Sequence, residues 1–280
     1  MRIRDKIKKP QRPVVAYEIL PPREKDGTLN SYAETISSLL SQTHIDAINI
    51  PEVHDEVGRG ERPVSNQERG EPRKFGMLLQ DIVGIEAIVN RVVVHMPLKK
   101  QMEWIQETYS QFEIDNLVIV GGESSKQKYP GPTVNESLQK ISQDNRLREN
   151  SILCGGICIP SRRKESKNLI RKSECGAEFF TTQVLCDSGN VIRMIKNYQE
   201  RCDKVNTFPR RILLSFAPVS SQKNIDFLKW LGVEIPKDTE KYLNGRPGSM
   251  TERSLDVAIE VLNEILAFIA NNNLKVPVGL

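Results

Sequence analysis

Short apolar, β-branched runs recur along the chain, separated by longer segments in which apolar residues return every three or four positions. The runs are VVAYEIL (14–20), IDAINI (45–50), RVVVHM (91–96), NLVIVGG (116–122), SILCGGICI (151–159), AEFFTTQV (177–184), RILLSF (211–216) and LKVPVGL (274–280). Each is a continuous apolar stretch, the pattern of a strand covered on both faces. Helical spacing runs from Tyr32 to Gln42, Lys74 to Val89, Lys100 to Phe112, Val134 to Gln143, Lys167 to Cys175, Val191 to Cys202, Asn224 to Leu231 and Glu252 to Asn271. Thr133 with Glu136, and Ser249 with Glu252, have capping-box spacing, in which side chains satisfy the first free amides of a helix.

Eight strand and helix units in strict alternation predict an α/β fold of the (β/α)8 TIM-barrel type. A single domain is expected over residues 1–280, with 1–12 as a basic, solvated lead-in. An open doubly wound sheet would carry a glycine-rich phosphate loop after its first strand, whereas here that strand runs into PPREKDG.

Charge narrows the function. With 40 basic and 36 acidic residues the net charge is only +4, which leaves no nucleic-acid footprint. No apolar run approaches the roughly 20 residues needed to cross a bilayer, and the start MRIRDKIKKPQRP lacks the apolar stretch of a signal peptide. Five cysteines, an odd number in a long chain, fit a reducing cytoplasm. Cys154 and Cys158 flank GGI within an apolar run, which reads as a strand, and no metal site is expected.

In a barrel of this kind the chemistry lies at the C-terminal ends of the strands. The polar residues there are Glu18, Asn49, Glu52, His95, Glu123, Ser161, Gln183, Asp187, Ser220 and Gln222. Glu18, His95 and Gln183 are the costliest of them to bury. The charged, glycine-bearing segment 51–72 falls at the same end, as a lid or a solvated linker.

Several of these stretches, in the same order, resemble the methylenetetrahydrofolate reductase family, a flavin-dependent barrel. YEILPP (17–22) is similar to the family's first-strand motif, with Glu18 on its glutamate; FFTTQVLCD (179–187) is similar to the sixth, with Gln183 on its glutamine and Asp187 on the acid that follows. His95 in VVVHMP, the segment LLSFAPVSSQKNIDFLKWLGVEIP, and the helix Glu165 to Cys175 followed by GAEFF complete the likeness, which extends from about Val14 to Leu280.

The resemblance implies reduction of 5,10-methylenetetrahydrofolate to 5-methyltetrahydrofolate through bound FAD, with NADH or NADPH as electron donor. It implies a cytoplasmic protein of one-carbon metabolism whose partner is a small reduced folate. A homo-oligomer or a redox partner subunit is compatible with it. Glu18 would be the general acid, held protonated by apolar neighbours, and Glu123 the negative group that stabilises the cationic iminium or hydrogen-bonds the pterin edge. Gln183 and Asn49 would hold the pterin, and His95, Glu165 and Lys172 the flavin.

Departures are also legible. Gly121-Gly122-Glu123 stands where the family has Arg-Gly-Asp, so a flavin-contacting arginine is missing; Ile159-Pro160-Ser161 replaces Tyr-Pro-Glu. They motivate two rivals: a flavin-free or partner-fed reductase, and a non-catalytic pterin-binding subunit.

Overall fold

A computed structural model describes residues 1–54, 60–64, 67–122, 127–150, 152–245 and 247–280. Its strands are β1 (Ala16–Glu18), β2 (Ala47–Ile50), β3 (Ala87–Val92), β4 (Asn116–Val120), β5 (Leu153–Cys158), β6 (Phe179–Val184), β7 (Arg211–Ser215) and β8 (Val278–Gly279). The α-helices are α1 (Ile3–Ile7), α2 (Leu29–Leu40), α3 (Pro72–Val83), α4 (Leu98–Phe112), α5 (Val134–Gln143) and α6 (Asn145–Glu149), then α7 (Glu165–Glu174), α8 (Gly189–Lys204), α9 (Gln222–Trp230), α10 (Lys237–Leu243) and α11 (Met250–Asn271).

All eight strands are parallel and pair in chain order, β1 through β8. Leu280 then returns to the first strand, its amide donating to the Val14 carbonyl at 2.8 Å and its carbonyl accepting from the Ala16 amide at 2.7 Å. The architecture is TIM-barrel-like. Among the described residues no helix is long and apolar enough to cross a membrane.

Alternation sorts each strand into two faces. Ile48, Ile50, Val89, Leu117, Ile119, Phe180 and Leu214 point out into the layer beneath the helices, whereas Ala47, Ile88, Val118, Leu153, Phe179 and Leu213 point in and pack together. Gly155 in β5 is explained by that inner cluster, since a Cβ there would lie 2.5 Å from the Phe179 ring.

The basic lead-in is not simply solvated. Residues 3–7 form α1, which buries Ile3 and Ile7, 0% and 3% exposed, in the inner cluster at the N-terminal end of the strands. Its charges meet acids on the same floor: Lys6 pairs with Asp46 and Lys8 with Glu178, both at 2.7 Å, and Arg2 pairs with Asp115. The apolar residues that matter are isolated ones, too sparse to form a run.

The largest shift in element boundaries falls on the third unit. The helix expected to continue to Val89 stops at Val83, because Gly84 takes a left-handed conformation (φ 71°) and closes onto the Gln80 carbonyl. The strand therefore starts at Ala87 and His95 lies beyond it, in a 3₁₀ turn over Val93–His95. The last strand is likewise shorter than 274–280, since Pro277 has no amide to donate and Lys275 N is taken by Gln199 Oε1.

Candidate functional site

Moving up the inner face by one pleat, the side chains change from apolar to polar. Above Ala16 is Glu18, above Ala47 is Asn49, above Ile88 is Asn90, above Phe179 is Thr181 and above Leu213 is Ser215. The strands thus deliver a carboxyl, two amides and two hydroxyls to the inside of the C-terminal end, between Val120 and Ile157 on the apolar side.

Glu18 and Asn49 are register partners, and Asn49 Nδ2 donates to Glu18 Oε2 at 2.8 Å. No ion pair to Glu18 is found among the described residues. Its side chain is open to solvent yet ringed by the strand ends, so water reaches it but hydrates it poorly. Burial pushes the carboxyl above its ordinary value, and the Asn49 hydrogen bond only partly opposes this. Thr181 Oγ1 and Ser215 Oγ are 3.2 Å apart and form a second inward couple.

Gln183, later on β6, follows a register irregularity between Thr181 and Val184. It is half-buried, with Nε2 3.4 Å from the Leu231 carbonyl at the end of α9. Ser161 and Asp187 line the same small cavity as Gln183, about 30 Å³, with room for one water. Asp187 also caps α8 by accepting from Asn190 N.

The remaining candidates are drawn into other work. Glu52 clamps the β3 end, taking Arg91 Nη1 at 2.5 Å and the Val92 amide at 2.7 Å. Against the cost of burial, His54, Arg91 and that amide hold its carboxyl below the ordinary range. Ser220 and Gln222 are spent on α9 itself, through Asn224 and Asp226. His95 is exposed, its ring 4.7 Å from His54 and 5.8 Å, edge-on, from Tyr129. This aromatic group was not legible in the sequence, because His54 and Tyr129 come from separate loops with no shared spacing. Nor was the meeting of the 51–72 loop with α9, where the Arg62 guanidinium lies 5.2 and 5.3 Å from the rings of Phe227 and Trp230. Glu123 lies outside the described residues.

Two of the groups assigned to a flavin by resemblance, Glu165 and Lys172, are paired with each other. Glu165 is 1% exposed; its carboxylate accepts from Ile159 N and Asn168 Nδ2 and lies 3.5 Å from Lys172 Nζ. Lys172 in turn donates to the Ile157 carbonyl. At Gly122, next to the position of the missing arginine, the Tyr129 ring packs so closely that a Cβ would lie 2.3 Å from it. In this arrangement the residues do not fit a flavin, whose tail would need the carboxylate and the ammonium unspent.

A parallel eight-stranded sheet wrapped in helices, with polar side chains converging at the C-terminal ends of its strands, defines a TIM-barrel-like protein of the kind that binds ligands at that end. Within this class, residues 158–275 match the model of the methylenetetrahydrofolate reductase family. Among solved structures, an uncharacterized protein from Clostridium thermocellum that binds two copies of 5-methyl-5,6,7,8-tetrahydrofolic acid superposes with a TM-score of 0.77. It does so at 19% identity, over 99% of this chain and 90% of its own. A 2,3-dimethylmalate lyase of the PEP mutase/isocitrate lyase superfamily lies further off, with a TM-score of 0.48 and 11% identity over 98% of this chain and 88% of its own. No curated protein sequence matches the chain.

Proposed function

We propose that the chain closes as a TIM barrel and binds a reduced folate at its mouth, with the pterin against Glu18, Asn49 and Gln183. The carrying observation is Glu18 itself: an inward carboxyl at a strand end, paired among the described residues only to an amide and raised in pKa by its surroundings. The match of residues 158–275 to the methylenetetrahydrofolate reductase model supports the substrate class, and the folate bound by the Clostridium thermocellum protein supports it from a shared fold.

The reaction that follows is conversion of the 5,10-methylene bridge to the 5-methyl group. Before the bridging carbon can accept hydride, one of its carbon–nitrogen bonds must break, leaving an iminium and a nitrogen that needs a proton. Glu18 supplies that proton, and its raised pKa keeps the acid form populated toward neutrality. Asn49 holds the carboxyl facing inward. Gln183 offers a donor and an acceptor to the pterin edge. The groups that would hold a flavin are engaged internally, so we assign the hydride to a source outside the chain: NADH, NADPH or a redox partner subunit.

Calorimetric titration with 5-methyltetrahydrofolate, followed by a methyl-folate oxidation assay with an artificial electron acceptor, tests the reading. Wild-type protein should bind, and Glu18→Gln should retain binding while losing turnover at neutral pH. Absence of binding by the wild type would sink the proposal; full turnover by Glu18→Gln would remove the acid role. A protein purified with the absorbance of oxidised flavin would overturn the assignment of the hydride source.

A further inference from the structure

Asn90 has no counterpart among the residues discussed for the pterin, yet it is the inward polar group with the least protein around it to bond. It lies on β3 two residues beyond Ile88, on the face that carries the inner cluster, and it is 7% exposed. Its Oδ1 is fully enclosed and has no hydrogen-bond partner among the described residues. The other inward polar groups are in couples, Glu18 with Asn49 and Thr181 with Ser215.

Asn116 makes the contrast. It too has an enclosed Oδ1 without a partner, but it sits at the opposite, N-terminal end of β4 and its amide nitrogen donates to the Ala87 carbonyl at 3.2 Å. Asn90 makes no such bond, and its neighbours in the inner cluster are apolar. Leucine, nearly the same size, would suit that position better for folding alone. A buried carbonyl without a donor is kept at a cost in stability, and such groups gather where a ligand supplies the missing partner.

We infer that Asn90 is a direct ligand contact, its Oδ1 accepting a hydrogen bond from a ring or amino N–H of the bound pterin. This rests on the folate reading above. The chemistry is complementary: a reduced pterin is rich in N–H donors along its edges. Glu18 in its acid form presents a donor, and Asn90 Oδ1 is the enclosed acceptor of the inward set that has no protein partner among the described residues. Asn90 therefore selects for a donor-bearing heterocycle.

The test pairs two measurements on Asn90→Leu: urea unfolding without ligand, and calorimetric titration with 5-methyltetrahydrofolate. The ligand-free variant should unfold at the same or a higher urea concentration than wild type, and bind about tenfold or more weakly. Asn90→Asp, which keeps an acceptor oxygen, should bind more tightly than Asn90→Leu. If wild type binds and Asn90→Leu binds equally well, the Asn90 contact is wrong and the folate reading stands. If the wild type does not bind, both fall. A variant that unfolds markedly earlier than wild type with unchanged affinity would make Asn90 a structural residue and overturn the contact.

Discussion

The two ends of the parallel sheet handle polar groups in opposite ways. At the N-terminal floor Arg211, 2% exposed, is fully used: Nε donates to the Ile7 carbonyl at 3.2 Å, and Nη1 and Nη2 to those of Val278 and Lys9, both at 2.6 Å. At the mouth, among the described residues, Glu18 has one amide partner, Gln183 a single long contact and the Asn90 Oδ1 none. The floor spends its polar groups on the protein. The mouth holds them in reserve, which is how a binding site differs from a structural network of the same residue types.

That difference is broken most forcefully at Arg211. Arg211→Met strips donors from three carbonyls at once and should destabilise the protein by about 4 kcal/mol, read as a lower urea midpoint, with folate affinity per folded molecule unchanged. Ile7→Ala comes next. It opens the inner cluster beneath α1 and should cost about 3 kcal/mol by the same measurement.

Glu18→Gln acts at the other end and in the other direction. Burial raises the folded-state pKa of Glu18, so the folded protein holds this proton more tightly than the unfolded chain does. That contribution to stability is complete below the unfolded carboxyl value of about 4.3 and is lost as pH climbs through the raised folded value. Glu18→Gln should therefore match or exceed wild-type stability at neutral pH, with the advantage shrinking in acid; thermal melts across pH check it. A loss of stability at neutral pH would place Glu18 with the floor. Smallest of all, Gln183→Ala should move the urea midpoint by no more than about 0.5 kcal/mol while weakening 5-methyltetrahydrofolate binding.

The mouth was easier to read from sequence than the floor. Continuous apolar runs located seven of the eight strands and caught only the end of β3, and a glutamate before Pro21-Pro22 or a glutamine after Thr181-Thr182 stands out because it is polar where its neighbours are not. Asn90 escaped because the expected helix overran its strand, and the feature that corrects this, the left-handed Gly84, is a backbone conformation that spacing does not carry. The floor escaped because its parts are remote. Nothing local tells that Ile3 and Ile7 in a basic stretch are anchors, or that Arg211 at the head of an apolar run will be buried whole. Glu165 and Lys172 are ambiguous for a related reason: a carboxylate and an ammonium seven positions apart on one helix suit a phosphate-bearing ligand and an internal ion pair equally well, and spacing does not carry the bond from Lys172 to the Ile157 carbonyl.

Arg211 and Ile7 are separated by 204 positions along the chain. Closing so long a loop is entropically costly, so this latch belongs among the last contacts to form, after neighbouring strands have paired. Its loss should then leave the refolding rate nearly untouched and appear almost wholly as faster unfolding. The floor, on this account, is what gives the native state its lifetime.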